Sequence, residues 1–125
     1  MSQRVLIVED QADNRAILRD LLTNAGYELI EATNGEDGIA LAESKRPDLI
    51  LMDVQLPLVD GYEATRRIKS NAALKSIPII AVTSYALSGD EAKAQEAGCD
   101  AYVAKPFSPR QLLAKIREHL PEHDC

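Results

Sequence analysis

The feature that most constrains this chain is a set of short, unbroken apolar runs. Val5-Leu6-Ile7-Val8, Leu49-Ile50-Leu51-Met52 and Ile79-Ile80-Ala81-Val82 each place four apolar residues in a row. A strand with one wet face alternates polar and apolar residues, whereas a strand covered on both faces does not. These runs therefore predict strands of a parallel sheet with helices on both sides. Two of the runs end in carboxylates, Glu9-Asp10 after the first and Asp53 after the second. A turn, Gln55-Leu56-Pro57, follows Asp53. Open α/β sheets bind their ligands beyond the carboxyl ends of the strands. The pattern thus predicts one acidic cluster at a functional edge.

The remaining segments complete an alternation of strand and helix, repeated five times. Strands are predicted near residues 4–9, 28–32, 48–53, 78–83 and 101–104. The second, Glu28-Leu29-Ile30-Glu31-Ala32, carries acids and reads as an edge strand. Helices are predicted over 13–25, 35–45, 61–70, 89–97 and 109–120. In the first, Ile17, Leu18, Leu21, Leu22 and Ala25 recur at helical spacing, with Gly26 as a C-cap candidate. The second offers Ile39, Leu41 and Ala42 and stops before Pro47; the third offers Tyr62, Ala64, Thr65 and Ile68. The last offers Leu112, Leu113, Ile116 and Leu120, with Ser108 and Pro109 at N-cap and N1. The fourth has mainly Ala92, Ala94 and Ala97 to bury, so it should dock weakly. That is either a plain small-residue contact or an element able to shift. Short βα units of this kind imply right-handed crossovers and a doubly wound parallel sheet.

With 125 residues the chain is expected to form a single domain, and 46% hydrophobic residues can fill a core. The net charge of −6 argues against a phosphate-backbone footprint and so against nucleic acid as a partner. Cys99 and Cys125 form no disulfide or zinc spacing and read as free thiols of a reducing cytoplasm. His123-Asp124-Cys125 reads as a frayed tail. No signal-peptide pattern precedes Val5, and no apolar stretch is long enough to span a bilayer. Neither GxGxxG nor GxxxxGK[ST] occurs, which removes the main support for nucleotide binding.

The predicted strand ends deliver Glu9 and Asp10, Asp53, Thr83, and Lys105-Pro106 to one edge. Three packed carboxylates repel one another unless a cation neutralises them. A hard divalent ion with oxygen ligands fits, and Mg²⁺ commonly takes one or two carboxylates while keeping several waters. Asp10 and Asp53 would be direct ligands, with Glu9 acting through water. Asp53 could then attack a phosphoryl group, with the metal and Lys105 balancing the transferring oxygens. Singly, each residue has a plainer account. Asp53 could be a turn former, Glu9 and Asp10 solvated loop acids, Thr83 a capping hydroxyl and Lys105 a surface lysine. Their joint placement at successive strand ends favours the shared site.

VLIVED, DLILMDVQLPLVDG, PIIAVTS and AYVAKPF, in this order, resemble the receiver domain of bacterial two-component response regulators. The resemblance runs from Arg4 to Leu120. Within the family, TSYALSGDEAKAQEAGCDAYVAKP and the short tail resemble single-domain cell-division regulators. It implies a flavodoxin-like (βα)5 fold of strand order 2-1-3-4-5, one receiver domain over 1–125, and a short tail at 121–125. It also implies that Asp53 accepts a phosphoryl group from a phosphohistidine on a histidine kinase or histidine phosphotransfer protein. Asp10, Asp53 and the backbone carbonyl of Gln55 would hold Mg²⁺, with Glu9 through water. Lys105 would pair with the phosphoryl group, across a cis Lys105-Pro106 bond. Thr83 would turn its hydroxyl toward that group and Tyr102 would swing inward in concert.

Small Ser84 would leave the phosphoryl group room to enter. Gln55 and Tyr85 would flank it. Bulky Tyr85 either screens water, packs on the fourth helix or faces a partner. No output domain is expected after residue 120. Output would then run through protein contacts on the face of the fourth helix, fifth strand and fifth helix, and the first helix would dock the phosphodonor. Two other functions compete. A Mg²⁺-dependent phosphatase with an Asp nucleophile usually needs a second acid two residues on, where Gln55 stands. A non-phosphorylated receiver-like binding module would not need Glu9, Asp10, Asp53, Thr83 and Lys105 together.

Overall fold

The structure, a computed structural model, describes residues 3–54, 56, 59–83, 90–104 and 108–120. In chain order the elements are β1 (Arg4–Val8), α1 (Ala12–Asn24), β2 (Glu28–Ala32), α2 (Gly35–Lys45) and β3 (Leu49–Asp53). They continue with α3 (Gly61–Lys69), β4 (Ile79–Thr83), α4 (Asp90–Ala97), β5 (Ala101–Ala104) and α5 (Pro109–His119). All strand pairs are parallel, in the order β2-β1-β3-β4-β5. This is the expected flavodoxin-like arrangement.

The three apolar runs are central strands, and their residues split by parity between the two faces. Leu6, Val8, Ile50, Met52 and Ile79 join Ala42, Ala64 and Ile68 of α2 and α3 in one core layer. Val5, Ile7, Leu49, Leu51 and Ile80 join Leu18, Leu22, Leu112 and Ile116 of α1 and α5 in the other. Unbroken apolar sequence is thus the signature of burial on both sides. β2 pairs with β1 alone and lies at the edge, as its acids suggested.

Local chemistry sets the helix ends. Asn34 caps α2 by accepting from the Asp37 amide at 2.8 Å, and Asp60 caps α3 by accepting from the Glu63 amide at 2.9 Å. Ser108 and Gln111 form a reciprocal capping box at α5, with Pro109 at its start. Gly26, directly after the C-cap Ala25, takes φ +94, a left-handed value that glycine reaches without strain.

Three expectations are corrected. Ile17 is 63% exposed. The α1 stripe centres on Leu18 and Leu22, and Ile17 sits roughly a third of a turn away from that centre. Ala92 is exposed, which leaves Ala94 and Ala97 as the buried alanines of α4. Between α3 and β4 the turns of 71–77 bury Leu74 and Ile77 in a core layer where no element was expected. Lys69 secures this region: its Nζ donates to the carbonyls of Lys75 and Ile77 and to Asp100 Oδ2, at 3.0, 2.8 and 2.9 Å. Asp100 Oδ2 also accepts from the Ile79 amide at 2.9 Å.

Candidate metal and phosphoacceptor site

The carboxyl edge of the sheet is where the acids meet. Each of Glu9, Asp10 and Asp53 offers a carboxylate oxygen, and these oxygens all lie within 4.8 Å of one another. Glu9 is 2% exposed and Asp53 5%, whereas Asp10 faces solvent. Two buried carboxylates and one open one make a donor set of hard oxygens with a route to water. Burying such charges close together is costly unless a cation compensates them. The residues therefore fit a divalent ion of the Mg²⁺ class.

Glu9 extends the β1 ladder, donating its amide to the Ala32 carbonyl at 3.1 Å. One oxygen of its carboxylate accepts from the Gln11 amide at 3.1 Å. Its carbonyl accepts from Arg15 Nη1 at 3.0 Å. The α1 N-cap, Gln11, supplies no side-chain cap, so the turn between β1 and α1 relies on these bonds. Asp53 ends the central strand, in register with Val82 of β4, and the next amide, Val54, donates to the Val82 carbonyl at 3.1 Å.

Gly61, the first residue of α3, is pressed against this strand end. A Cβ there would stand 2.3 Å from the Asp53 carbonyl oxygen and 2.6 Å from the Val54 Cα. Its amide donates to the Val54 carbonyl at 3.1 Å. Only a residue without a side chain lets α3 brace Asp53 this closely. In the sequence Gly61 marks no more than a helix start after Asp60, so this role is invisible there.

Thr83 ends β4 and is 1% exposed. The register pairs Ala81 with Tyr102 and Thr83 with Ala104, so Thr83 and Tyr102 share one face of the sheet. On that face Ala81, Ala94 of α4 and Val54 form a small cluster, against which Tyr102 and Tyr62 pack half-buried. Thr83 and Tyr102 thus share a sheet face, and Tyr102 packs on the cluster that holds Ala94 of α4. Gln55, Ser84, Tyr85, Lys105, the Lys105-Pro106 bond and the 121–125 tail lie outside the described residues.

Cys99 packs near the same cluster, with Sγ 3.8 Å from Thr65 Oγ1. Burial pushes its thiol above the ordinary cysteine range. It therefore carries little thiolate character. Arg15 and Gly61, both part of the site's framing, were missed by sequence reasoning. An Arg within the first turns of α1 was the one available signal for the former.

Residues 5–117 match the response regulator receiver domain. The chain is 45% identical to the polar-differentiation response regulator DivK of Brucella anthropi, over 96% of this chain and 98% of the relative. DivK of Brucella suis biovar 1 is 43% identical over the same shares. Among solved structures, a putative response regulator from Chloroflexus aurantiacus J-10-fl superposes with a TM-score of 0.93 at 31% identity, covering 98% of this chain and 100% of that one. The receiver domain of sensor histidine kinase PA1611 from Pseudomonas aeruginosa PAO1 superposes with a TM-score of 0.90 at 36% identity, again over 98% and 100%. That structure holds a magnesium ion coordinated in its active site cleft. Fold, acidic edge and sequence agree: the chain belongs to the response regulator receiver domains of two-component systems.

Proposed function

We propose that the chain is a single-domain response regulator of a phosphorelay, switched by phosphorylation of Asp53. The observation that carries this reading is the buried Asp53 carboxylate within 4.8 Å of Glu9 and Asp10 oxygens at the end of the central strand. A carboxylate oxygen of Asp53 attacks the phosphorus of a phosphohistidine on a histidine kinase or histidine phosphotransfer protein. The phosphorus–nitrogen bond breaks and the imidazole leaves with the bonding pair, taking a proton. Asp10, Asp53 and the Gln55 carbonyl would hold Mg²⁺ directly, and Glu9 would act through water. When bound, Mg²⁺ supplies charge that offsets the clustered acids and the phosphoryl oxygens.

Lys105 pairs with the phosphoryl group and Thr83 donates its hydroxyl to it. Tyr102, on the Thr83 face, follows that movement and repositions α4. The domain spans 1–125, with 121–125 as a short tail, and works in the cytoplasm. It is a signalling domain, catalysing only its own aspartyl phosphorylation and dephosphorylation. Output runs through the α4–β5–α5 face. There a cleft of about 520 Å³ is lined by Ala94, Gln95, Tyr102, Lys115, Glu118 and His119. α1 receives the phosphodonor, and its exposed Ile17 is available to that contact. Among the described residues no helix is long and apolar enough to cross a membrane.

The test is incubation of the intact chain with Mg²⁺ and acetyl phosphate, read by mass spectrometry. We expect one added phosphoryl group, absent in Asp53→Asn and absent when the metal is chelated. No increment in the wild type would favour the non-phosphorylated binding module. Steady turnover on unrelated phosphate esters would favour the phosphatase.

A further inference from the structure

We propose that Arg15 is a positioning residue for the metal site, acting through the backbone of Glu9. This rests on the Mg²⁺ reading above. Arg15 is the fourth residue of α1, with a side chain only 18% exposed. Its Nη1 donates to the Glu9 carbonyl at 3.0 Å, and its Nε approaches Glu31 Oε1 at 3.6 Å. Glu31, in the edge strand, is also gripped by Arg19 through two bonds of 2.7 Å. One planar guanidinium thus ties three elements together: the turn that carries Glu9 and Asp10, helix α1, and strand β2.

Glu9 is hydrogen-bonded at its amide, its carboxylate and its carbonyl. Its amide is held by Ala32, its carboxylate by the Gln11 amide and its carbonyl by Arg15. Of these three holds, only Arg15 uses a side chain, so only it can be removed without altering the backbone. The carbonyl lies on the peptide that joins Glu9 to Asp10. Orienting that peptide restrains the Asp10 Cα from which the carboxylate projects. A cation beside a metal site would ordinarily repel the metal, and Glu31, already held by Arg19, offsets only part of the Arg15 charge. The arrangement sets order in the ligand turn against some electrostatic opposition to the metal.

Charge and positioning predict opposite outcomes, which makes the idea testable. The probe is MgCl₂ titrated into the intact chain by isothermal calorimetry at fixed ionic strength, well below the melting temperature. Partners that orient metal ligands typically cost 10–100-fold in affinity when lost. Arg15→Met should weaken Mg²⁺ binding by about tenfold, the low end, because the contact acts through a backbone group. Arg15→Lys keeps the charge but loses the fork, and should weaken binding by about threefold. A purely electrostatic role predicts tighter binding for Arg15→Met and no change for Arg15→Lys, and either result overturns the proposal. A role in stability alone predicts a lower melting temperature in chelator with unchanged Mg²⁺ affinity, which overturns it too. Should Arg15→Met fail to fold, Arg15→Lys decides alone. Wild-type protein that gave no Mg²⁺ binding at all would instead sink the metal-site reading, and this role with it.

Discussion

Helices α1 and α4 flank the same sheet but are held to it in different ways. α1 buries Leu18 and Leu22 against Val5, Ile7 and the leucines of α5. It is also tied to the edge strand by Arg15 and Arg19 on Glu31. α4 buries Ala94 and Ala97, while Ala92, Lys93, Gln95 and Glu96 are exposed. Fully burying a leucine stabilises by about 1.5–3 kcal/mol, while a single methyl contributes nearer ~0.8 kcal/mol. Two leucines therefore anchor α1 about 1–4 kcal/mol more firmly than two alanines anchor α4. The difference separates labour. The helix that follows the Glu9–Asp10 turn is firmly anchored, and the helix beside Tyr102 is cheaper to displace.

The largest effect should come from the anchored side. Leu22→Ala should cost about 2–5 kcal/mol in unfolding free energy, measured by urea denaturation. A loss below ~1 kcal/mol would mean that α1 is not held by this stripe, and the contrast would collapse.

A smaller effect is expected on α4. Ala94→Gly removes a buried methyl and a good helix former, and should cost about 1 kcal/mol. Native-state hydrogen exchange sharpens the point. Amides of α4 should exchange faster than those of α1 in the wild type, and Ala94→Gly should accelerate α4 alone. Equal exchange in the two helices would remove the basis for calling α4 the movable element.

The smallest effect concerns the ion pairs that help to hold α1. Hydrogen bonding from Arg19 holds the Glu31 carboxyl below the ordinary glutamate range. A depressed carboxyl stabilises the fold above its unfolded-state pKa and loses that contribution as pH falls through the folded value. The stability gap between wild type and Glu31→Gln should therefore be open at neutral pH, close in strong acid and shrink with added salt. A gap independent of pH would assign Glu31 a packing role instead of an electrostatic one.

These contrasts show what the sequence makes legible. Every strand and helix was readable, because burial on both faces leaves unbroken apolar runs and helices keep their period. The acids of the site were readable because each terminates such a run. Ile17 was misjudged because spacing gives a helical stripe but not its centre, which depends on the surface that receives it. Leu74 and Ile77 were missed because a turn has no period to betray that it is buried.

By itself the sequence determined the order of elements, the doubly wound class and the identity of the acidic residues, since all of these follow from local pattern. The tertiary structure decided how those residues are framed. Gly61 admits α3 against the Asp53 carbonyl, and Arg15 reaches back to the Glu9 carbonyl while its Nε approaches Glu31. Both depend on how a helix folds back onto the strand end before it. No spacing of letters encodes them, because close approach is a property of packed surfaces and not of sequence period.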